Sequence, residues 1–174
     1  MPLPESRPEG PRSLSFPASH ALRPIWFLET LRPWIDRPQF TSHANTALAL
    51  EAVWLSSRTS AEAVPLFAAL GYPAQTVEYP VPQTTVIALE TGALYLVPLM
   101  DTPSHRSLVG MTIAVQRLEA IESMLATAEV EMERRVDARG RSLLVHPVYA
   151  QGIWLEFLES RRSGLTQGPG APLR

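Results

Sequence analysis

Proton transfer near neutral pH needs an imidazole, or a carboxylate placed in apolar surroundings, and this chain offers few of either. Its four histidines are His20, His43, His105 and His146. His20 stands in a Pro-, Ser- and Arg-rich opening and is expected to be idle. His43, in the run TSHANTA, precedes an apolar strand-like segment. It either reaches a site or belongs to a turn in which Asn45 satisfies local backbone groups. His105 lies beside Arg106 in a polar connection, and His146 ends a strand just before Pro147, as an edge histidine does. The carboxylate that stands out is Glu156, set in GIWLEFLE between Leu155 and Phe157.

What is missing narrows the chemistry further. There is no cysteine, which removes disulfides, thiolate nucleophiles and Cys-based zinc or iron–sulfur centres. All fifteen basic residues are arginine, so neither a Schiff-base lysine nor a P-loop lysine exists. No Ser-His-Asp set, Gly-rich phosphate loop or HExxH helix is present. The run AEVEMERR reads as a solvated helix end. No cofactor is expected.

Composition bounds the rest. With 174 residues and 45% apolar content the chain can bury one ordinary core or two small modules sharing one. A net charge of −2 gives no field for phosphate backbones or anionic lipid, so neither a nucleic acid nor a membrane is an expected partner. No signal-type h-region and no run of eighteen apolar residues is seen, and a cytoplasmic location is the expectation.

The elements that must position these residues come in two rounds. Residues 50–98 read LEAVWLSS, TSAEAVPLFAALGY, QTVEYP, TTVIALE and GALYLVP; residues 108–159 contain GMTIAV, RLEAIESMLATAEV, MERRVDA, RSLLVHP and GIWLEFLE. Each round is a strand, a helix, then three strands. Ala63, Leu66, Phe67 and Leu70 give the first helix one buried stripe, and Leu118, Ile121, Met124, Leu125 and Ala128 the second. Ser60 is expected near the first helix N-cap, Pro65 in its first turn and Gly71 just past its end. The predicted fold is α+β: two tandem βαβββ modules forming a curved, mainly antiparallel sheet with a groove, with helices on the outer face. Residues 1–20 are expected to be a flexible tail, 21–46 an aromatic, Pro-rich docking arm, 47–160 the domain, and 161–174 a second flexible tail. The arm carries Trp26, Phe27 and Trp34. It is expected to dock these aromatics on the surface of its own domain or on a partner subunit, or else to be a short helix covering an edge of the same domain.

This pattern resembles the vicinal oxygen chelate superfamily of glyoxalases, extradiol dioxygenases, methylmalonyl-CoA epimerases and bleomycin- or fosfomycin-resistance proteins. The resemblance is carried by LEAVWLSSRTSAEAVPLFAALGY, VGMTIAVQRLEAIESML and the closing VHPVYAQGIWLEFLE. It implies a divalent metal held by groove-facing side chains on the first and last strands of each module. With the helices as register those positions fall at Ala52 and Leu96 in module one, and at Gly110 and Glu156 in module two. Only Glu156 can ligate, so no metal is expected there. A slip of one residue replaces Ala52 by Glu51 and still supplies no histidine.

Strand alternation then lines the groove with Ala52, Trp54, Ser56, Thr112, Trp154 and Glu156, and turns Val53, Leu55, Ile113, Val115, Leu155 and Phe157 beneath the helices. Trp54, Ser56, Thr112, Trp154 and Arg106 are the expected ligand-binding residues, for a small hydrophobic or aromatic molecule. Glu156 with His43 is the candidate catalytic pair of a lyase or isomerase that moves a proton next to a carbonyl. The competing reading of Glu156 is a structural ion pair with an arginine, such as Arg106 or Arg141, that fixes the sheet. Two non-catalytic classes compete with the enzyme: a ligand-sequestering or sensor protein of the drug-resistance type, and a scaffold or subunit-contact protein whose groove is filled by its own side chains or by the aromatic arm. The resemblance also implies a homodimer as a candidate assembly.

Overall fold

The structure is a computed structural model that describes residues 13–17, 19, 20, 22, 25–28, 43–98 and 107–160. Module one comprises β3 (Ala47–Ser56), α1 (Ser60–Ala69), β4 (Ala74–Val77), β5 (Thr84–Leu89) and β6 (Gly92–Val97). Module two comprises β7 (Leu108–Val115), α2 (Leu118–Thr127), β8 (Met132–Asp137), β9 (Gly140–Val145) and β10 (Trp154–Glu159). β1 (Ser13–Ser15) and β2 (Trp26–Leu28) form a separate antiparallel pair.

The eight module strands make one sheet in the order β4-β5-β6-β3-β7-β10-β9-β8. In each module the first and last strands run parallel, with Trp54 opposite Tyr95 and Thr112 opposite Glu156. β3 and β7 join the halves antiparallel, placing Ala52 opposite Thr112 and Trp54 opposite Gly110. The sheet curls. Tyr79, past the outermost strand of module one, hydrogen-bonds Glu156 in module two.

Period-two alternation divides the side chains between two faces. Outside, Leu55, Ala63, Phe67, Ile87, Leu94 and Leu96 pack under α1, and Val115, Leu118, Ile121, Leu143, Val145 and Phe157 pack with α2. Inside, Ala52, Trp54, Tyr95, Val97, Val109 and Leu144 form a third cluster. The two faces follow the expected alternation except at two places in module one: the Ser56 hydroxyl turns to the 3-10 turn, and Leu96 lies under α1 while Tyr95 takes the inner position. Counting four residues from the strand glycine suits module two, but the same count from Gly92 runs one residue long.

Local details differ from the sequence expectations where tertiary packing decides. A 3-10 turn over Ser57–Thr59 precedes α1, so Thr59 is its N-cap and Pro65 falls inside the helix, where its ring nitrogen has no proton to donate to the turn before. Gly71 does end α1, at φ +92°. Leu70 and Met124 of the predicted stripes are about half exposed, at 51% each. In the expected tail Ser13–Ser15 pairs with Trp26–Leu28 of the arm, and in the arm Leu22 is buried and Phe27 approaches Phe67 with ring centroids 6.3 Å apart. Among the described residues, the arm segment Trp26–Leu28 is a strand, and Phe27 packs against the core of module one. Trp34 and residues 161–174 lie outside the described residues.

Candidate functional site

β10 holds Glu156 at the centre of the inner face, fully buried. Both of its oxygens are engaged. Arg139 donates from Nη2 to Oε1 at 2.8 Å and from Nη1 to Oε2 at 3.1 Å; Thr112 donates to Oε2 at 2.7 Å, and the Tyr79 hydroxyl donates to Oε1. An ionised carboxylate has about four acceptor positions, and these four bonds fill them. Behind Thr112, the Trp54 indole N–H donates to its hydroxyl at 2.9 Å. The chain Trp54–Thr112–Glu156–Arg139 thus crosses from module one into module two without a gap.

Arg139 comes from the tight β8–β9 turn, which Asp137 organises by accepting the Arg139 backbone N–H at 2.7 Å. The same carboxylate accepts from the guanidinium, with Nη2 to Oδ2 at 2.7 Å. From that turn the side chain lies back across the inner face, its guanidinium carbon 3.5 Å from the centroid of the Tyr79 ring. Tyr79 meets Trp54 edge-on at 6.5 Å, and Trp54 stacks on Tyr95 at 6.3 Å. Three aromatic rings and one guanidinium therefore occupy the space that the sequence assigned to a ligand.

The electrostatics follow from this packing. Burial raises the Tyr79 hydroxyl above its ordinary value, and the Glu156 charge with the bond it accepts adds to the effect. Burial also raises Tyr95, opposed by the nearby Arg139 charge. Desolvation pulls Arg139 down, but its bonds to Glu156 and Asp137 outweigh that and hold it well above the usual arginine range. Asp137 is pushed up by burial and brought below its ordinary value by the side-chain and backbone bonds it accepts from Arg139.

Of the residues singled out from sequence, the structure brings together Glu156, Thr112 and Trp54. Trp154 borders the same cluster, half-buried, with the His146 ring edge-on at 4.8 Å. Ser56 is not brought to Glu156; its hydroxyl faces the 3-10 turn, where it accepts from the Arg58 N–H at 3.5 Å. His43 stands apart from Glu156. It lines a hollow of about 280 Å³ with Leu48, Leu50, Met111 and Ile113, and the last two alternate with Thr112 and belong to the opposite face. Its carbonyl accepts from Thr46 and Asn45 caps Ala47, the turn that was its alternative reading. Arg106 and His105 lie outside the described residues.

The ion pair weighed for Glu156 is present, with Arg139 as the arginine in place of Arg141. Arg141 points to the outer face, where it pairs with Glu159 and Glu119 at 2.8 and 2.9 Å. Alternation supplies the reason: an arginine inside β9 between inward Ser142 and the turn has to face outward, whereas Arg139 in the turn is free of that parity. Asp137-x-Arg139-Gly140 was the available signal. Tyr79 and Tyr95 were also missed. The first lies in a loop, beyond the reach of any periodicity.

The four positions that the resemblance assigns to metal ligands carry Ala52, Tyr95, Gly110 and Glu156. Ala52 is 2% exposed and inward, and Glu51 is on the surface, which excludes the slipped register. At Gly110 a β-carbon would stand 2.6 Å from Cε3 of Trp54 and 2.9 Å from the Trp154 carbonyl oxygen, so no ligating side chain fits. Glu156 has no acceptor position left. These residues do not fit a divalent cation. Among the described residues, no group of three or more His, Asp or Glu is placed to hold one, and no helix is long and apolar enough to cross a membrane.

No family model and no curated protein matches the chain. Solved structures do. Methylmalonyl-CoA epimerase from Mycobacterium tuberculosis superposes with a TM-score of 0.50 at 17% identity, over 67% of this chain and 95% of that one. A hypothetical protein from Bacillus halodurans C-125 gives the same TM-score at 16% identity, over 68% and 98%. The chain therefore has the vicinal oxygen chelate fold, and the likeness is one of fold.

Proposed function

We propose that this chain is a metal-independent, non-catalytic binding protein with the vicinal oxygen chelate fold, its groove held closed by its own side chains. The observation that supports this reading is the saturation of Glu156 by Arg139, Tyr79 and Thr112. A general base needs a lone pair within reach of a substrate proton. Glu156 offers none while Arg139 is in place, and His43, the expected partner, lines the other face. The positions where the superfamily resemblance puts metal ligands carry small or aromatic side chains apart from Glu156, which supports independence from metal.

Methylmalonyl-CoA epimerase, one of the proteins that share the fold, supplies a reaction against which this can be tested. The whole chain, purified without chelator, is incubated in D2O with methylmalonyl-CoA, with and without added Co2+ or Zn2+, and deuterium next to the thioester carbonyl is followed by NMR. The expected result is incorporation no faster than without protein, together with a melting temperature that neither ions nor EDTA shifts. Protein-dependent incorporation that disappears in Glu156→Gln would overturn the proposal.

A further inference from the structure

The groups around the Arg139 side chain are those of a cation receptor. A planar guanidinium meets Glu156 through two parallel bonds of 2.8 and 3.1 Å and Asp137 through a third of 2.7 Å, and it lies 3.5 Å from the centroid of the Tyr79 ring. Fork-to-carboxylate pairing over an aromatic face is how proteins select guanidinium over a point-charge ammonium. Trp54 meets the Tyr79 ring edge-on, and Tyr95 stacks on Trp54.

Most of this receptor is anchored independently of its occupant. Glu156 belongs to β10, Thr112 to β7, Trp54 to β3 and Tyr79 to the β4–β5 connection, whereas Arg139 reaches in on an aliphatic stem from a hairpin turn and keeps its side chain 25% exposed. Withdrawal of that one side chain leaves a buried carboxylate, a phenol and an aromatic wall in position. On the same face the Ser142 hydroxyl, 2% exposed, has no hydrogen-bond partner among the described residues.

We propose that the inner face is a receptor for guanidinium which Arg139 fills in cis, and that the external ligand it takes when Arg139 swings out is a guanidino compound. This rests on the reading of the groove as a closed binding site. Competition with a tethered occupant lowers the apparent affinity of the wild-type chain by the fraction of molecules in which Arg139 is withdrawn. Truncating Arg139 removes that penalty.

The test uses the whole chain and methylguanidinium chloride as probe, read by thermal shift and by the NMR signal of the Trp54 indole N–H. Arg139→Ala is expected to show a saturable rise in melting temperature, with half-saturation on the order of 1–10 mM. Wild type is expected to respond at least about tenfold more weakly. Methylammonium, urea and NaCl at equal concentration should not reproduce the rise, and adding Glu156→Gln should abolish it. A folded Arg139→Ala chain without saturable response, or with one matched by methylammonium, would refute the proposal. Should Arg139→Ala be unfolded alone, the double variant Arg139→Ala/Glu156→Gln, which lacks the unpaired buried charge, serves as the folded reference. Folding of Arg139→Ala induced by methylguanidinium then supports the proposal, and its staying unfolded refutes it. None of these outcomes alters the deuterium result, so the two readings fail separately.

Discussion

Gly110 has no side chain because the Trp54 indole uses its space. Cross-strand neighbours Trp54 and Trp154 flank it on β3 and β10, and a β-carbon there would meet ring carbon and carbonyl oxygen inside van der Waals contact. Neither neighbour can yield: Trp54 is 1% exposed and tied to Thr112, and the Trp154 oxygen is backbone. Overpacking of this kind costs about 1–3 kcal/mol. Gly110→Ala is therefore expected to lower urea-unfolding stability by that amount, with the m-value unchanged, and an unaltered midpoint would show that the indole is not held against the strand. The sequence shows a glycine in a strand, which signals close approach in general, but nothing in one chain's letters identifies which ring approaches. The same limit applies to Glu156. Its inward direction follows from alternation, whereas its partners Arg139 and Tyr79 come from a turn and a loop, whose side-chain directions no period fixes.

At the scale of elements, the β8–β9 hairpin carries the plug. Asp137 accepts the Arg139 backbone N–H and also grips its guanidinium, so one carboxylate sets both the turn and the aim of the side chain. Its side chain is 26% exposed, which screens the charge pairing, and the cost of losing it is put at about 1–2 kcal/mol. Asp137→Ala is expected to raise hydrogen exchange of the β8 and β9 amides about 5–30-fold, with the α1 side of the sheet less affected. Uniform acceleration throughout would place the effect on global stability instead. Strands and helices themselves were legible, because apolar period two and period 3.6 alternate twice in the same order along the chain. The slip at Leu96 and the misread exposure of Met124 share one cause: a period gives a stripe its direction but leaves its phase and its ends to neighbours that only the fold supplies. The hairpin β1–β2 was hidden by its Pro- and Ser-rich composition, which reports low burial on average and misses the individual Leu22.

Seen as a whole, the molecule is two modules whose inner faces close on one network, and its composition makes that network visible in solution. With neither lysine nor cysteine, the side chains that titrate between pH 9 and the arginine range are the four tyrosines. Burial holds Tyr79 and Tyr95 above their ordinary value of 10.0 in the folded chain. The sign follows from proton counting. A folded-state value above the unfolded one contributes stability in full below about pH 10, and that contribution is lost as pH rises toward the folded value, because the unfolded chain releases protons that the native chain keeps. Each such tyrosine steepens the alkaline fall by at most about 1.4 kcal/mol per pH unit. Tyr79→Phe lowers stability at every pH by removing a bond to Glu156, yet it is expected to flatten the alkaline limb between pH 10 and 11.5, as measured by urea unfolding. An equally steep limb in the variant would mean that Tyr79 ionises as readily in the folded chain as in the unfolded one, against the partial burial and the neighbouring Glu156 carboxylate that hold its proton.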